Sequence, residues 1–113
     1  MKTMNEVLNK IRELGWSVEK ENENSYRLGK YSPAGQDFSI LIYSKESSDD
    51  FIDQIYDRYN EFDVSEEVYL WLDESGHGTN GAPYDMKDVY EDMKWCEEAI
   101  YELYEDLKYW LDN

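Results

Sequence analysis

The sequence predicts an α+β fold: a helix, a three-stranded antiparallel meander, then two short helices and one long C-terminal helix packed on the sheet. Three patterns carry this reading. Apolar residues recur at helical spacing from Met4 to Leu14, then give way to alternation and turn residues between Trp16 and Tyr43. From Met86 to Trp110 they return in steps of 3-4-3-4-3-4-3, a strict heptad. The chain has 113 residues, the size of one domain, and shows no internal repeat, low-complexity tract or linker. Residues 1–113 therefore read as a single acidic α+β domain.

Thr3 and Glu6 form a T-x-x-E capping box, which starts the first helix. Met4, Val7, Leu8, Ile11 and Leu14 make its apolar stripe, and Gly15 supplies the stop. Trp16 and Val18 then alternate with polar residues, Asn22-Glu23-Asn24 reads as a turn, and Tyr26, Leu28 and Lys30 share a face. Ser32-Pro33-Ala34-Gly35 is turn chemistry, and Phe38–Tyr43 is rich in strand formers. The third strand is apolar on both sides and is expected to be the best covered.

Ser47-Ser48-Asp49-Asp50 is a helix start, with acids where the helix dipole favours them. Phe51, Ile52, Ile55, Tyr56, Tyr59 and Phe62 should line the inner face of this helix. Asp63 or Ser65 caps a further short helix through Val68, Trp71 and Leu72, stopping near Gly76; an irregular loop follows from Gly76 to Pro83. Asp85 opens the last helix, with Asp88 three residues on. Its seam is Met86, Val89, Met93, Cys96, Ile100, Leu103, Leu107 and Trp110, and at 1.5 Å per residue it should run about 40 Å. Trp95, Tyr101 and Tyr109 fall outside that seam and imply either a second packing surface or an exposed aromatic strip.

Charge is strongly polarised. Residues 1–48 carry seven acids and seven bases, whereas residues 49–113 carry 20 acids against Arg58, Lys87, Lys94 and Lys108, so the whole net charge of −16 lies in the second part. Such a surface repels nucleic acid and anionic lipid, which argues against direct nucleic-acid binding. The sequence contains no run of membrane-spanning length and its start has no apolar signal core, so a soluble, cytoplasmic protein is expected. The aromatic content, 16% with 11 Tyr and 4 Trp, argues against disorder.

Chemistry-bearing patterns are sparse. The one histidine, His77, sits in the glycine-containing loop, a poor support for a proton carrier. The one cysteine, Cys96, lies on the heptad seam and reads as a small core hydrophobe. A calcium loop beginning at Asp73 would place Gly78 at the required turn position, but Ser75, His77 and Thr79 fill ligand positions and Tyr84 stands where a bidentate Glu is needed. Neither GxxxxGK[ST] nor GxGxxG occurs. No catalytic, cofactor-binding or metal-ligating residue is assigned, no cofactor is expected, and the protein reads as a non-enzyme.

The last helix offers another role. Glu91, Glu98, Glu105 and Asp112 recur every seven residues, about 10 Å apart, with Asp88, Asp92, Glu97, Glu102 and Asp106 filling between them. DNA presents a negative charge roughly every 3.4 Å along each strand, so a double row of carboxylates approximates a phosphate track. The expected protein-binding residues are Asp88, Glu91, Trp95, Glu98, Glu102, Glu105 and Tyr109, with the aromatics as anchors among the acids. The expected partner is a basic protein surface, such as that of a nucleic-acid-binding enzyme. The alternative is a structural or regulatory module that homodimerises through the C-terminal helix, so the chain is expected to be a monomer or a homodimer.

Two resemblances accompany these residues. The stretch Phe62-Asp63-Val64-Ser65-Glu66-Glu67-Val68-Tyr69-Leu70-Trp71-Leu72, followed by Gly78-Thr79-Asn80-Gly81-Ala82-Pro83, resembles small acidic proteins of phages and conjugative elements. The order of one helix, three short strands and acidic helices is similar to that of the acidic anti-CRISPR inhibitors of Cas9. That likeness lies in topology and charge, carries no contact residues across, and implies an inhibitor binding where the effector receives its target DNA.

Overall fold

The structure, a computed structural model, describes residues 2–43, 48–71 and 85–112. Along the chain these form α1 (Met4–Glu13), β1 (Ser17–Asn22), β2 (Ser25–Tyr31), β3 (Asp37–Tyr43), α2 (Ser48–Glu61), α3 (Val64–Trp71) and α4 (Met86–Asp112). This is the helix, antiparallel meander and run of helices that the periodicities predict. His77 and the Gly76–Pro83 loop, together with the predicted end of α3 at Leu72 and Gly76, lie outside the described residues.

Local signals place the ends of the elements. The Thr3 backbone N–H donates to Glu6 Oε1 (3.1 Å) and the Glu6 N–H to Thr3 Oγ1 (3.2 Å), closing the capping box. The Thr3 N–H holds the Glu6 carboxyl below the usual carboxylate range. Gly15, at φ +97°, ends α1 with paired bonds: its N–H donates to the Arg12 carbonyl (3.0 Å), and the Trp16 N–H donates to that of Ile11 (3.2 Å). This is the 5→2 and 6→1 pattern that lets glycine reverse the chain, and it buries Trp16 beside the stripe it follows. Asp63 Oδ1 accepts from the Glu66 N–H (3.2 Å), which makes Asp63 rather than Ser65 the cap of α3. Asp85 Oδ1 accepts from the Asp88 N–H (2.9 Å) at the start of α4.

The sheet has the order β1-β2-β3 with both pairs antiparallel. Leu28 sits opposite Val18 on one side and Ile40 on the other; Tyr26 faces Ile42, and Lys30 faces Phe38. Phe38, Ile40 and Ile42 are buried, while Ser39 and Tyr43 are exposed. The third strand is therefore covered on one face only and lies at the edge of the sheet, contrary to the expectation that it would be the best covered. Its Leu41 is half-buried, and the central position belongs to β2. The Gln54 carboxamide covers part of that edge, accepting from the Tyr43 N–H (2.9 Å) and donating to the Tyr43 carbonyl (2.7 Å).

The inner face of the sheet meets α1 at β1 and α2 at β3, with α4 crossing both helices and α3 packed on α4. Val89, Met93, Cys96, Ile100, Leu103 and Leu107 are buried in one contiguous core with Val7, Leu8, Ile11, Leu28, Phe51, Ile52 and Ile55. The heptad seam is thus used within the chain. Its first residue, Met86, is 53% exposed, and burial of the seam begins at Val89. Tyr56 also departs from its predicted inward position: it is exposed and lies against Tyr104 (centroids 4.9 Å apart) and Tyr59 (6.0 Å).

Ile100 is fully buried at the middle of the seam. Ile100→Asp is expected to unfold the chain at 25 °C or cost about 4 kcal/mol in urea denaturation, because it buries an unpaired charge. Ile100→Val is expected to cost only about 1 kcal/mol. An Ile100→Asp chain that keeps native stability and changes only its mass in solution would overturn the intramolecular seam.

Candidate protein-binding face

The heptad register sorts the α4 side chains by direction. Asp88, Trp95, Glu102 and Tyr109 follow one another every seven residues, and Glu91, Glu98 and Glu105 form the neighbouring row, both opposite or beside the seam. Asp88, Glu91, Glu98, Glu102, Glu105 and Tyr109 are exposed, Tyr109 at 75%. These six predicted residues stand together on the outer face of one helix of 27 residues, about 40 Å long. Three nearby cations have their nearest partners among other acids: Lys94 pairs with Glu97 (3.2 Å), Arg58 with Glu61 (2.6 Å) and Lys108 with Asp53 (3.3 Å). The hydrogen bond to Glu97 raises the Lys94 pKa. The Lys94 charge also reaches Glu98, and Lys87 lies one turn before Glu91 in the outer row.

Trp95 is placed differently from its row. It is half-buried, edge-on to Phe38 of β3 (6.3 Å), which is in turn edge-on to Trp16 (5.5 Å). The Lys30 ammonium lies 5.5 Å from the Trp16 ring centre and 5.9 Å from that of Trp95. Lys30 does share the inner face of β2 with Leu28, and its cation is held there by indole faces. Trp95 is therefore a fixed wall between core and surface, with part of its ring left accessible.

Two of the acids predicted to fill the outer face do other work. Asp92 is 7% exposed and turned toward the sheet. Its Oδ2 accepts from the Ser32 hydroxyl (2.5 Å) and its Oδ1 from the Ala34 N–H (3.1 Å). Ser32 Oγ also accepts from the Gln36 N–H (2.9 Å), and the Ser32 N–H donates to the Gln36 carbonyl (2.8 Å). Asp92 thereby ties the β2–β3 turn, with Gly35 at φ +89°, to α4. Glu97 is half-buried in its ion pair with Lys94.

Tyr59 of α2 is legible in the sequence only as an inward-facing residue, yet it reaches the surface. Its ring lies 4.9 Å from that of Tyr101, and both border a cleft of about 350 Å³ with Trp95, Glu98, Ala99 and Glu102. On the other side of Trp95, a shallower groove of about 530 Å³ runs between Pro33-Ala34 and Asp88, Glu91 and Asp92. The Glu105 charge, with some desolvation, keeps the Tyr101 phenol above its usual pKa. Cys96 is buried, and its thiol is pushed up to about 12 by desolvation, then by the charge of Asp92. Among the described residues, no group of three His, Cys, Asp or Glu is arranged to hold a metal ion, and no helix is long and apolar enough to cross a membrane.

Comparison of the chain with family models, with curated proteins and with solved structures gives no match.

Asp92→Ala is expected to lower stability by about 2 kcal/mol in urea denaturation, because it removes the carboxylate that accepts from the Ser32 hydroxyl and the Ala34 N–H, whereas Glu91→Gln should change it by less than about 0.5 kcal/mol. Equal effects would mean that Asp92 is another solvated acid. The Cys96 thiol should resist alkylation at pH 8 in the native protein and react promptly in denaturant. Its raised pKa contributes stability that is present below pH 9 and lost as pH rises toward 12, since the unfolded thiol ionises first. Prompt native alkylation, slowed little by folding, would contradict its burial.

Proposed function

We propose that the chain is a non-enzymatic, acidic protein-binding module that meets a basic protein surface through the outer face of α4, imitates nucleic acid, and thereby inhibits a cytoplasmic nucleic-acid-binding protein. The supporting observation is the exposed double row of Asp88, Glu91, Glu98, Glu102 and Glu105, with the cations Arg58, Lys94 and Lys108 paired to other acids. Two rows of carboxylates spaced along a rigid helix give a field that steers a basic partner from a distance, and the association they drive weakens as salt screens them. The occupied heptad seam favours this reading over dimerisation through α4, because the apolar residues that a helix pair would share already fill the core. The resemblance of the 62–83 segment to small acidic phage and conjugative-element proteins supports a mobile-element setting for such an inhibitor.

The test is capture of proteins from a bacterial lysate on the immobilised chain, beside the Glu91→Gln, Glu98→Gln, Glu105→Gln triple variant. The native chain is expected to retain a nucleic-acid-binding protein at about 50 mM salt, to lose most of it by about 500 mM, and to release it when duplex DNA or RNA is added. The triple variant should retain at least about tenfold less, because three of the steering charges are gone. Capture of the same proteins by both forms, or capture that nucleic acid does not displace, would overturn the proposal.

A further inference from the structure

Carboxylates on an exposed helix ordinarily stand in open solvent, but Glu98 and Glu102 border a concavity whose other walls are aromatic. Tyr59 enters from α2, and Trp95, Ala99 and Tyr101 complete the cleft from α4. The aromatic walls are fixed from behind. Tyr101 lies against Tyr59 (4.9 Å), Tyr59 against Tyr56 (6.0 Å), Tyr56 against Tyr104 (4.9 Å), and Trp95 is set edge-on to Phe38 (6.3 Å). Glu98 and Glu102 are one helical turn apart, so their side chains leave the same side of α4, with Cβ atoms about 6 Å from each other. At about 350 Å³ and open to solvent, the cleft suits one long side chain rather than an enclosed cofactor.

Charge complementarity selects the occupant. Two carboxylates and several ring faces attract a cation, and a guanidinium satisfies both kinds of wall at once. It is planar, so it lies flat on a ring; it is weakly hydrated, so it loses little on leaving water; and its forked donors match a carboxylate. A lysine ammonium is a strongly hydrated point charge without a planar face to stack. We infer that the cleft formed by Tyr59, Trp95, Tyr101, Glu98 and Glu102 seats a single arginine side chain of the basic partner. This rests on the reading of the α4 face as the binding surface and adds to it a point of chemical selectivity. The outer acids supply attraction at a distance, and the cleft reads which basic residue has arrived.

Two fluorescent peptides of equal length and charge, one an Arg–Gly repeat and one a Lys–Gly repeat, are titrated against the full chain at low salt. The Arg peptide is expected to bind about fivefold more tightly, the scale of one cation–π contact with its fork. Glu98→Gln with Glu102→Gln, and separately Tyr101→Leu, should bring the ratio to about one, while Glu91→Gln with Glu105→Gln should weaken both peptides and leave the ratio intact. Each variant's melting curve is recorded; if Tyr101→Leu loosens the fold, the exposed Glu98/Glu102 pair still decides. Equal binding of the two peptides, or an Arg preference that survives loss of Glu98 and Glu102, overturns the cleft and leaves the acidic face standing. Failure of both peptides to bind at low salt overturns the face and the cleft together.

Discussion

Burial of one side of α4 holds the other described elements together. A three-stranded sheet with one covered face is too small to stabilise itself, and α1 and α2 each bring only three fully or nearly fully buried apolar residues to it. The seam of α4 supplies Val89, Met93, Cys96, Ile100, Leu103 and Leu107, each contributing on the order of 1–3 kcal/mol by leaving water. Because the heptad brings these side chains to one stripe, α1, α2, α3 and the sheet can all close on the same helix. Most of the charge of α4 lies on the sides away from that seam.

That division explains how a chain with a net charge of −16 can hold a dense core. Repulsion between carboxylates is weakest where water screens them, so the outer rows cost least at the place farthest from the seam. Asp92 is the exception. It occupies a position flanking the seam, where it would be desolvated by the β2–β3 turn, and its two oxygens are met there by a hydroxyl and a backbone N–H. A buried acid so satisfied fixes the turn against the helix instead of destabilising it. It also fixes where Pro33 and Ala34 stand beside Asp88 and Glu91, and so shapes one flank of the outer face.

Aromatic residues join the two regimes. Trp95 belongs by spacing to the outer face and by packing to the core, with Phe38 behind it and Lys30 near its ring. The four tyrosines Tyr56, Tyr59, Tyr101 and Tyr104 cover the junction between α2 and α4 with rings that are apolar enough to pack and polar enough to meet water. Rigid rings beside carboxylates differ from a merely solvated charged surface, since they place part of the attraction at a defined point along the helix.

The elements and their ends follow from the order of residues along the chain. Capping at Thr3, Asp63 and Asp85 and the stop at Gly15 are local chemistry between residues three to five apart, and the heptad from Val89 to Leu107 is a property of one helix alone. The outward direction of Glu91, Glu98 and Glu105 is legible in the same way, because direction on a helix follows from spacing. The buried acceptor role of Asp92 is not, since its donors lie about 60 positions away, on Ser32 and Ala34. Long-range packing also makes β3 an edge strand, withdraws Trp95 halfway against Phe38, and brings Tyr59 to Tyr101 across two helices. Periodicity tells which way a side chain leaves its own helix or strand; what it meets there depends on how distant elements are brought together.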